Sequence, residues 1–189
     1  MSAPASPPLF APLHPLPALG QLARRPLWRC SYASPLGPMT LAASAQGLAG
    51  AWFDGQKHMP DTRGWTERPQ HAVLQQAAQE LAEYFAGKRQ RFTVALDLQA
   101  GSAFQLQVWQ ALCGIAAGKS ISYGALAAQL GRPSAVRAVG AAVGRNPISI
   151  IIPCHRVLGA GGALTGYAGG LERKVALLQT EGHGGPSLP

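Results

Sequence analysis

Residues 122–143 read SYGALAAQLGRPSAVRAVGAAV, and the organisation of the chain is worked out from them. Ser122 is placed to cap a helix from Tyr123 to Leu130, since a serine hydroxyl accepts from the free amides of a helical first turn. Gly131 then stops it. Past Arg132-Pro133, Ser134 is placed to cap a second helix from Ala135 to about Val143, with Val136, Val139 and Val143 as its apolar face. Two short helices joined by three or four residues that include glycine form a helix-turn-helix. That geometry lets the second helix enter a DNA groove.

Charge points the same way. The 189 residues carry 16 Lys and Arg against 8 Asp and Glu, a formal net charge of +8. Such a balance favours a polyanionic partner. The hydrophobic fraction of 47% suits a folded protein, and no apolar run reaches the roughly 18–20 residues of a membrane span. Cys30, Cys113 and Cys154 are an odd set without a close pair. This argues against a disulfide framework and against a zinc site, so no metal or cofactor is expected. Prolines at 4, 7, 8, 12, 15 and 17 interrupt any signal-like apolar stretch, which makes the cytoplasm the expected compartment.

Moving outward, Ser102 is placed to cap a helix carrying Phe104, Val108, Trp109 and Leu112. On the other side, Asn146-Pro147 marks a turn and Ile148–Ile152 predicts a buried β-branched strand. Pro153-Cys154-His155-Arg156-Val157 follows. A glycine-rich loop from Gly159 to Gly170 then leads into a last helix, Leu171 to about Glu181, with Leu171, Val175 and Leu178 facing inward. The first half has a different texture. Segments 28–33, 38–45 and 47–53 predict strands, 55–70 is polar and irregular, 71–86 predicts a helix stopped at Gly87, and 91–98 predicts a further strand. The fold class is α+β. A flexible Pro-rich extension (1–25) precedes an N-terminal unit (26–98) and a helical C-terminal domain (101–182), and 183–189 is a tail.

Chemistry concentrates at Cys154. Free cysteine is most often a core residue, and Cys30 and Cys113 fit that reading. Cys154 differs, because Pro153 ends the predicted strand while His155 and Arg156 bring positive charge able to lower a thiol pKa. Neighbours in extended backbone point apart, so a bridging water suits Cys154 and His155 better than a direct dyad. Glu181, an acid at a helix C-terminus where the macrodipole opposes it, is either solvated or the partner that orients His155. Arg137, a cation in the first turn of its helix, either lies in solvent or projects toward DNA between Ala135, Ala138, Gly140 and Ala141. Tyr123 is either core or a phenol donating to a ligand.

Taken together, Pro153-Cys154-His155-Arg156-Val157 resembles the active-site signature of the O6-alkylguanine-DNA alkyltransferases. Gly101–Gln105 with Val108-Trp109, Ser122-Tyr123, Arg137–Gly140, Arg145-Asn146-Pro147, Thr165–Leu171 and Glu181-Gly182 fall in that family's order. Pro35-Leu36-Gly37 and Tyr84–Gly87 match more loosely. The resemblance spans 26–182.

It implies a small N-terminal ribonuclease-H-like α/β domain before the helix-turn-helix domain, and irreversible, stoichiometric transfer of an alkyl group from O6-alkylguanine, or O4-alkylthymine, to Cys154. His155 is implied as base through water and Glu181 as its orienting partner. Asn146 is implied as the tie between helix-turn-helix and active-site turn, and Tyr123 as proton donor to the leaving guanine. Arg137 would fill the gap of a flipped nucleotide, from a minor-groove helix whose DNA-facing residues include Ser134, Ala135, Ala138 and Gly140. The carbonyls near Cys154 and Val157 would read the base, Tyr167 would wall the pocket, and Ala168 would offer only its backbone N–H where some members carry a hydroxyl. The implied partner is alkylated double-stranded DNA, met by a monomer with no obligate protein partner, membrane, metal or cofactor. Rival readings are a non-catalytic lesion sensor of the same fold, a Cys/His hydrolase, and a helix-turn-helix regulator.

Overall fold

The computed structural model describes residues 27–99 and 101–183. The extension predicted for 1–25 and the tail beyond 183 lie outside the described residues.

Strands β1 (Trp28–Ser34), β2 (Gly37–Ala43) and β3 (Leu48–Phe53) form an antiparallel meander. A two-residue β4 (Thr66–Glu67) adds to β1 in parallel, giving the order β3-β2-β1-β4. The polar stretch 55–70 therefore contributes a strand that its composition hides. Helix α1 (Ala72–Phe85) lies on this sheet through Leu74, Ala77, Leu81 and Tyr84. It stops at Gly87, whose φ of +71° is open to glycine without a Cβ penalty.

Two predicted strands are absent, and one cause covers both. Antiparallel β2 occupies one edge of β3, and a single edge remains. Segment 91–98 reaches it with one residue: the Leu48 amide donates to Ala95 O and the Asp97 amide to Leu48 O. Segment 147–149 takes the other end, where the Ala51 amide donates to Pro147 O and the Ser149 amide to Ala51 O. A six-residue strand shared by two segments leaves each a bridge, not a ladder. The side chain of buried Glu80 substitutes for strand pairing in the first segment, accepting from the Thr93 and Val94 amides at 2.8 and 3.3 Å.

The second domain is helical. Helix α2 (Ala103–Cys113) opens with a capping box between Ser102 and Gln105. Strand β5 (Ile121–Ser122) leads into α3 (Tyr123–Gln129), whose Ala125 amide donates to Ser122 Oγ at 3.1 Å. The turn then runs through Gly131, with the Arg132 amide returning to Ala127 O. Helix α4 (Val136–Gly144) starts one residue later than predicted. Ala135 is its N-cap and no side chain caps it, so Ser134 does not have the capping role the sequence suggested. Val139, Ala142 and Val143 are buried, while Val136 is exposed. Trp109 of α2 donates its indole N–H to Ala142 O at 2.9 Å and so fixes α4.

After the turn at 147–153 come a 3-10 turn (Cys154–Arg156), β6 (Val157–Leu158) paired in parallel with β5, and α5 (Leu171–Thr180). The inward side of α5 is Lys174, Leu177 and Leu178. Leu171 is exposed, contrary to the periodicity reading. Among the described residues no helix is long and apolar enough to cross a membrane.

Candidate active site

The segment Ile148–Cys154, read from sequence as a strand, is a succession of tight turns. Ile150 has φ of +72° although it is β-branched and fully buried. Such a conformation costs on the order of 1–3 kcal/mol and survives only where its surroundings over-determine it. Asn146 supplies that determination. Its Oδ1 accepts from the Ile148 amide at 3.0 Å, and its Nδ2 donates to Ile148 O at 3.2 Å and Ile152 O at 2.8 Å. One amide side chain thus clamps both ends of the strained turn. A further tight turn around Pro153 (φ −81°, ψ 62°) joins the Cys154 amide to Ile152 O at 2.8 Å.

These turns deliver Cys154 as the first residue of the 3-10 turn, 6% exposed, with Asn146 Nδ2 3.0 Å from its Sγ. Burial pushes the thiol above its ordinary pKa, and Asn146, Lys174 and local backbone amides partly offset this. The sequence had assigned that offset to His155 and Arg156. Their side chains do not supply it; His155 contributes only through its backbone amide. Burial depresses the His155 pKa more than Glu181 raises it, so the ring is neutral, and the Arg156 guanidinium is turned away toward Glu181 and Ile115 O.

Glu181 is not a solvated helix terminus. It follows α5 as its C-cap residue and its side chain is 2% exposed. Its Oε1 accepts from His155 Nε2 at 2.8 Å, Arg156 Nη2 at 2.7 Å and Tyr84 Oη at 2.9 Å. Its Oε2 accepts from Arg156 Nε at 2.8 Å and the Gly118 amide at 3.4 Å. Burial would raise this carboxyl's pKa, but the donors and charges of His155 and Arg156 outweigh it and hold it well below the usual carboxylate range. Because a carboxylate only accepts, the His155 proton resides on Nε2. Buried Nδ1 keeps its lone pair and has no hydrogen-bond partner among the described residues. This state fits a base acting through water, although the backbone is a 3-10 turn and not the extended chain from which a water was first argued.

Tyr123 begins α3 and donates to Gly166 O at 3.3 Å. Burial, and to a lesser degree the charge at Cys154, raise its pKa. It also lines a cleft of about 450 Å³ with Ser122, Gly124, Val136, Arg137, Gly140 and Ala160. Arg137 and Ala138 are exposed in the first turn of α4, and Ser134 is exposed just before it; Ala135 and Gly140 are half-buried. Val157 is buried in β6, and its carbonyl accepts from Lys174 Nζ. Tyr167 is packed against Gly169, where a Cβ would come within 2.8 Å of the ring.

The first domain, in which the sequence showed no chemistry, holds this loop. The Lys57 amide donates to Ala168 O at 3.1 Å. Arg173 reaches from α5 to Gly169 O at 2.8 Å and Leu36 O at 2.9 Å, with its guanidinium over Phe53. Sequence reasoning missed Lys174, Arg156 as a structural ion and Tyr84. A cation at an inward position of α5 was the available signal for the first. No group of His, Cys, Asp and Glu suited to a metal occurs among the described residues.

Comparison with known proteins bears on this arrangement. Residues 28–98 match the profile of the 6-O-methylguanine DNA methyltransferase, ribonuclease-like domain, and residues 103–183 that of the 6-O-methylguanine DNA methyltransferase, DNA binding domain. The chain is 47% identical over 150 residues to the methylated-DNA–protein-cysteine methyltransferase of Mycobacterium leprae, covering 79% of this chain and 89% of that one. The crystal structure of Mycobacterium tuberculosis O6-methylguanine methyltransferase superposes with a TM-score of 0.76 at 45% identity, over 86% of this chain and 96% of the other. A crystal structure of OGT from the same organism in complex with DNA gives 0.77 at 46% identity, over 82% and 93%.

Proposed function

The chain belongs to the O6-alkylguanine-DNA alkyltransferase family, and from that premise we propose how its own residues carry out the reaction. It is a methylated-DNA–protein-cysteine methyltransferase that binds DNA and repairs alkylated guanine by moving the alkyl group to a cysteine of its own. Cys154 is the acceptor. The observation that carries this is the pairing of a buried Sγ, 3.0 Å from Asn146 Nδ2, with a neutral His155 whose Nε2 is locked 2.8 Å from Glu181.

His155 Nδ1 takes the thiol proton through a water, and the resulting thiolate attacks the alkyl carbon. The S–C bond forms as the C–O6 bond breaks, and the electron pair stays with the departing guanine. Tyr123 Oη donates a proton to that base, which matches charge developing on the leaving group. His155, now protonated, is held by the Glu181 carboxylate. The product thioether has no residue placed to break it, so each molecule turns over once.

For the base to reach Cys154 it must leave the duplex, which costs a few kcal/mol. The cleft beside α4 suits this step. Arg137 stands at its rim to occupy the vacated stack, while Ser134, Ala135, Ala138 and Gly140 present a surface of small residues to the minor groove. Tyr167, Val157 O and the Ala168 amide bound the base pocket. The lesions in view are O6-alkylguanine and O4-alkylthymine in double-stranded DNA, met by a cytoplasmic monomer. Free thiols at all three cysteines support the compartment.

Intact-mass measurement after mixing with O6-methylguanine DNA tests the assignment. The wild type should gain one methyl mass at Cys154, and Cys154→Ser should gain none while still binding DNA. Transfer onto Cys30 or Cys113, or residual stoichiometric transfer in the variant, would overturn it. Binding with no mass gain in the wild type would favour the lesion-sensor reading.

A further inference from the structure

The loop before α5 is held by its carbonyls. Thr165 O accepts from Lys174 Nζ at 2.8 Å, and Gly166 O from Tyr123 Oη at 3.3 Å. Tyr167 O accepts from the Gly170 amide and Ala168 O from the Lys57 amide, each at 3.1 Å. Gly169 O accepts from Arg173 Nη1 at 2.8 Å. Every carbonyl from Thr165 to Gly169 is thus engaged. The amides of Tyr167, Ala168 and Gly169, in contrast, meet no acceptor among the described residues. Backbone donors in such half-buried positions are ordinarily paired, and a run of free N–H groups is the material of anion sites.

Arg173 is the side chain that fixes this arrangement from outside. It is half-buried in the first turn of α5, with its guanidinium 4.6 Å from the Phe53 ring centroid and its Nε donating to Leu36 O at 2.9 Å. Both contacts belong to the first domain, so Arg173 braces the loop against β3 and the turn between β1 and β2. Two glycines make room for it. A Cβ at Gly37 would stand 3.1 Å from Nη2, and one at Gly169 would stand 2.8 Å from the Tyr167 ring and 3.1 Å from Phe53. Arginine suits the task because its planar fork reaches two carbonyls at once in fixed geometry, where an ammonium is a single point. Ala168 brings no hydroxyl, so its backbone N–H is its one donor toward the pocket.

We propose that Arg173 is a positioning residue that, braced on the first domain, turns the Ala168 amide toward the guanine O6. The proposal rests on Cys154 being the acceptor and on this loop bounding the base pocket. As the S–C bond forms and the C–O6 bond breaks, the electron pair left on O6 meets a donor already in place. The Ala168 N–H keeps its proton, and the proton that neutralises the base comes from Tyr123. A fixed donor at a developing oxyanion needs no reorganisation during reaction, and removing one outright costs about 10²–10³ in rate.

Two alkylating reagents separate this role from a merely structural one. Free O6-benzylguanine gives up its benzyl group as charge develops on O6. Iodoacetamide alkylates the same sulfur and releases iodide, which needs no donor from the loop. Both rates are measured on Cys154, located by peptide mapping, in wild type, Arg173→Lys and Arg173→Met. Because Arg173→Met loosens the donor without deleting it, its benzylguanine rate should fall about tenfold or more. Its iodoacetamide rate should stay within about twofold of wild type, since the thiolate is untouched. Arg173→Lys, able to reach one carbonyl, should lie between. Equal losses with the two reagents would make Arg173 a support of the fold or of the thiol and overturn the proposal. An unchanged benzylguanine rate would overturn it as well.

Should Arg173→Met fail to fold, Arg173→Lys carries the same comparison and Cys154→Ser supplies a second measurement. On saturation of Cys154→Ser with free O6-benzylguanine, the Ala168 amide proton should move downfield in the NMR spectrum, as a newly made hydrogen bond requires. An Ala168 amide that does not respond refutes the contact with O6. A wild type that is labelled at Cys154 by iodoacetamide, yet takes no benzyl group from O6-benzylguanine, would instead remove the functional reading beneath the proposal.

Discussion

Replacing Glu181 with Gln is the sharpest probe of the buried network, because the two side chains have the same shape. The carboxylate accepts from five donors: Tyr84 Oη, His155 Nε2, Arg156 Nη2 and Nε, and the Gly118 amide. A carboxamide presents one oxygen and one NH2. Arg156 spans both positions with Nη2 on Oε1 at 2.7 Å and Nε on Oε2 at 2.8 Å, so either orientation sets an arginine N–H against an amide N–H. Tyr84 and His155 can turn acceptor; arginine cannot.

The variant therefore keeps a buried guanidinium without a countercharge, at a cost of about 3–5 kcal/mol. With roughly 2–4 °C per kcal/mol for a protein of this size, melting should fall by about 6–20 °C. Transfer should slow by about 10²–10⁴-fold, because a neutral carboxamide cannot stabilise the imidazolium that His155 becomes when it takes the thiol proton. A double variant, Arg156→Met with Glu181→Gln, should recover much of the melting loss and none of the rate loss. Acid sensitivity follows from the same groups. His155 and Glu181 both have depressed pKa values in the fold, so each contributes stability that is present above its unfolded pKa and is lost as pH falls toward the folded one. Wild-type melting should decline from about pH 6.5 downward as His155 is forced to charge, and again below about pH 4.3. The second decline should be smaller in Glu181→Gln, the remainder coming from Glu80, whose carboxyl is also held below its ordinary pKa by hydrogen bonds. Differential scanning calorimetry and single-turnover kinetics read both effects. A variant melting within two degrees of wild type, at a rate within threefold, would refute the argument.

Alkylated protein should melt lower than unreacted protein, since a methyl or benzyl group on Sγ must displace the Asn146 amide 3.0 Å away. Overpacking of this kind costs about 1–3 kcal/mol, and unchanged calorimetry for both adducts would show the pocket to be roomy. Arg137→Ala should slow repair of duplex DNA far more than reaction with free O6-benzylguanine, which needs no flipping; equal losses on the two substrates would place Arg137 elsewhere. DNA affinity should fall with salt at about −0.9 in log–log slope per phosphate neutralised, and a flat profile would contradict the reading of the net +8 charge.

Local sequence was sufficient for elements whose signals are short-range. The meander strands, α1 with its Gly87 stop, the Ser102 capping box and the Ser122 cap each depend on residues within a few positions of one another. Patterning failed where partners are distant. Arg91–Leu98 and Ile148–Ile152 have strand composition, but strand formation needs an available edge, and β3 offers each of them one residue. Ser134 looks like a cap, yet the turn after Gly131 places Ala135 at the helix start.

Sequence alone singled out Cys154: its Pro-Cys-His-Arg-Val setting, with His155 beside it, is a local pattern that needs no fold to be read. Its environment was decided only by tertiary structure. Glu181 lies 26 positions from His155 and Lys174 lies 17 from Val157, and no rule of spacing brings those pairs together. Positive charge adjacent in sequence suggested an activated thiolate, whereas folding turns Arg156 away, leaves His155 neutral and buries the thiol, with the Asn146 amide foremost among the groups that offset that burial. The reason is that electrostatics depends on distance and burial in space, and both are fixed by how α5 docks against the turn at Cys154.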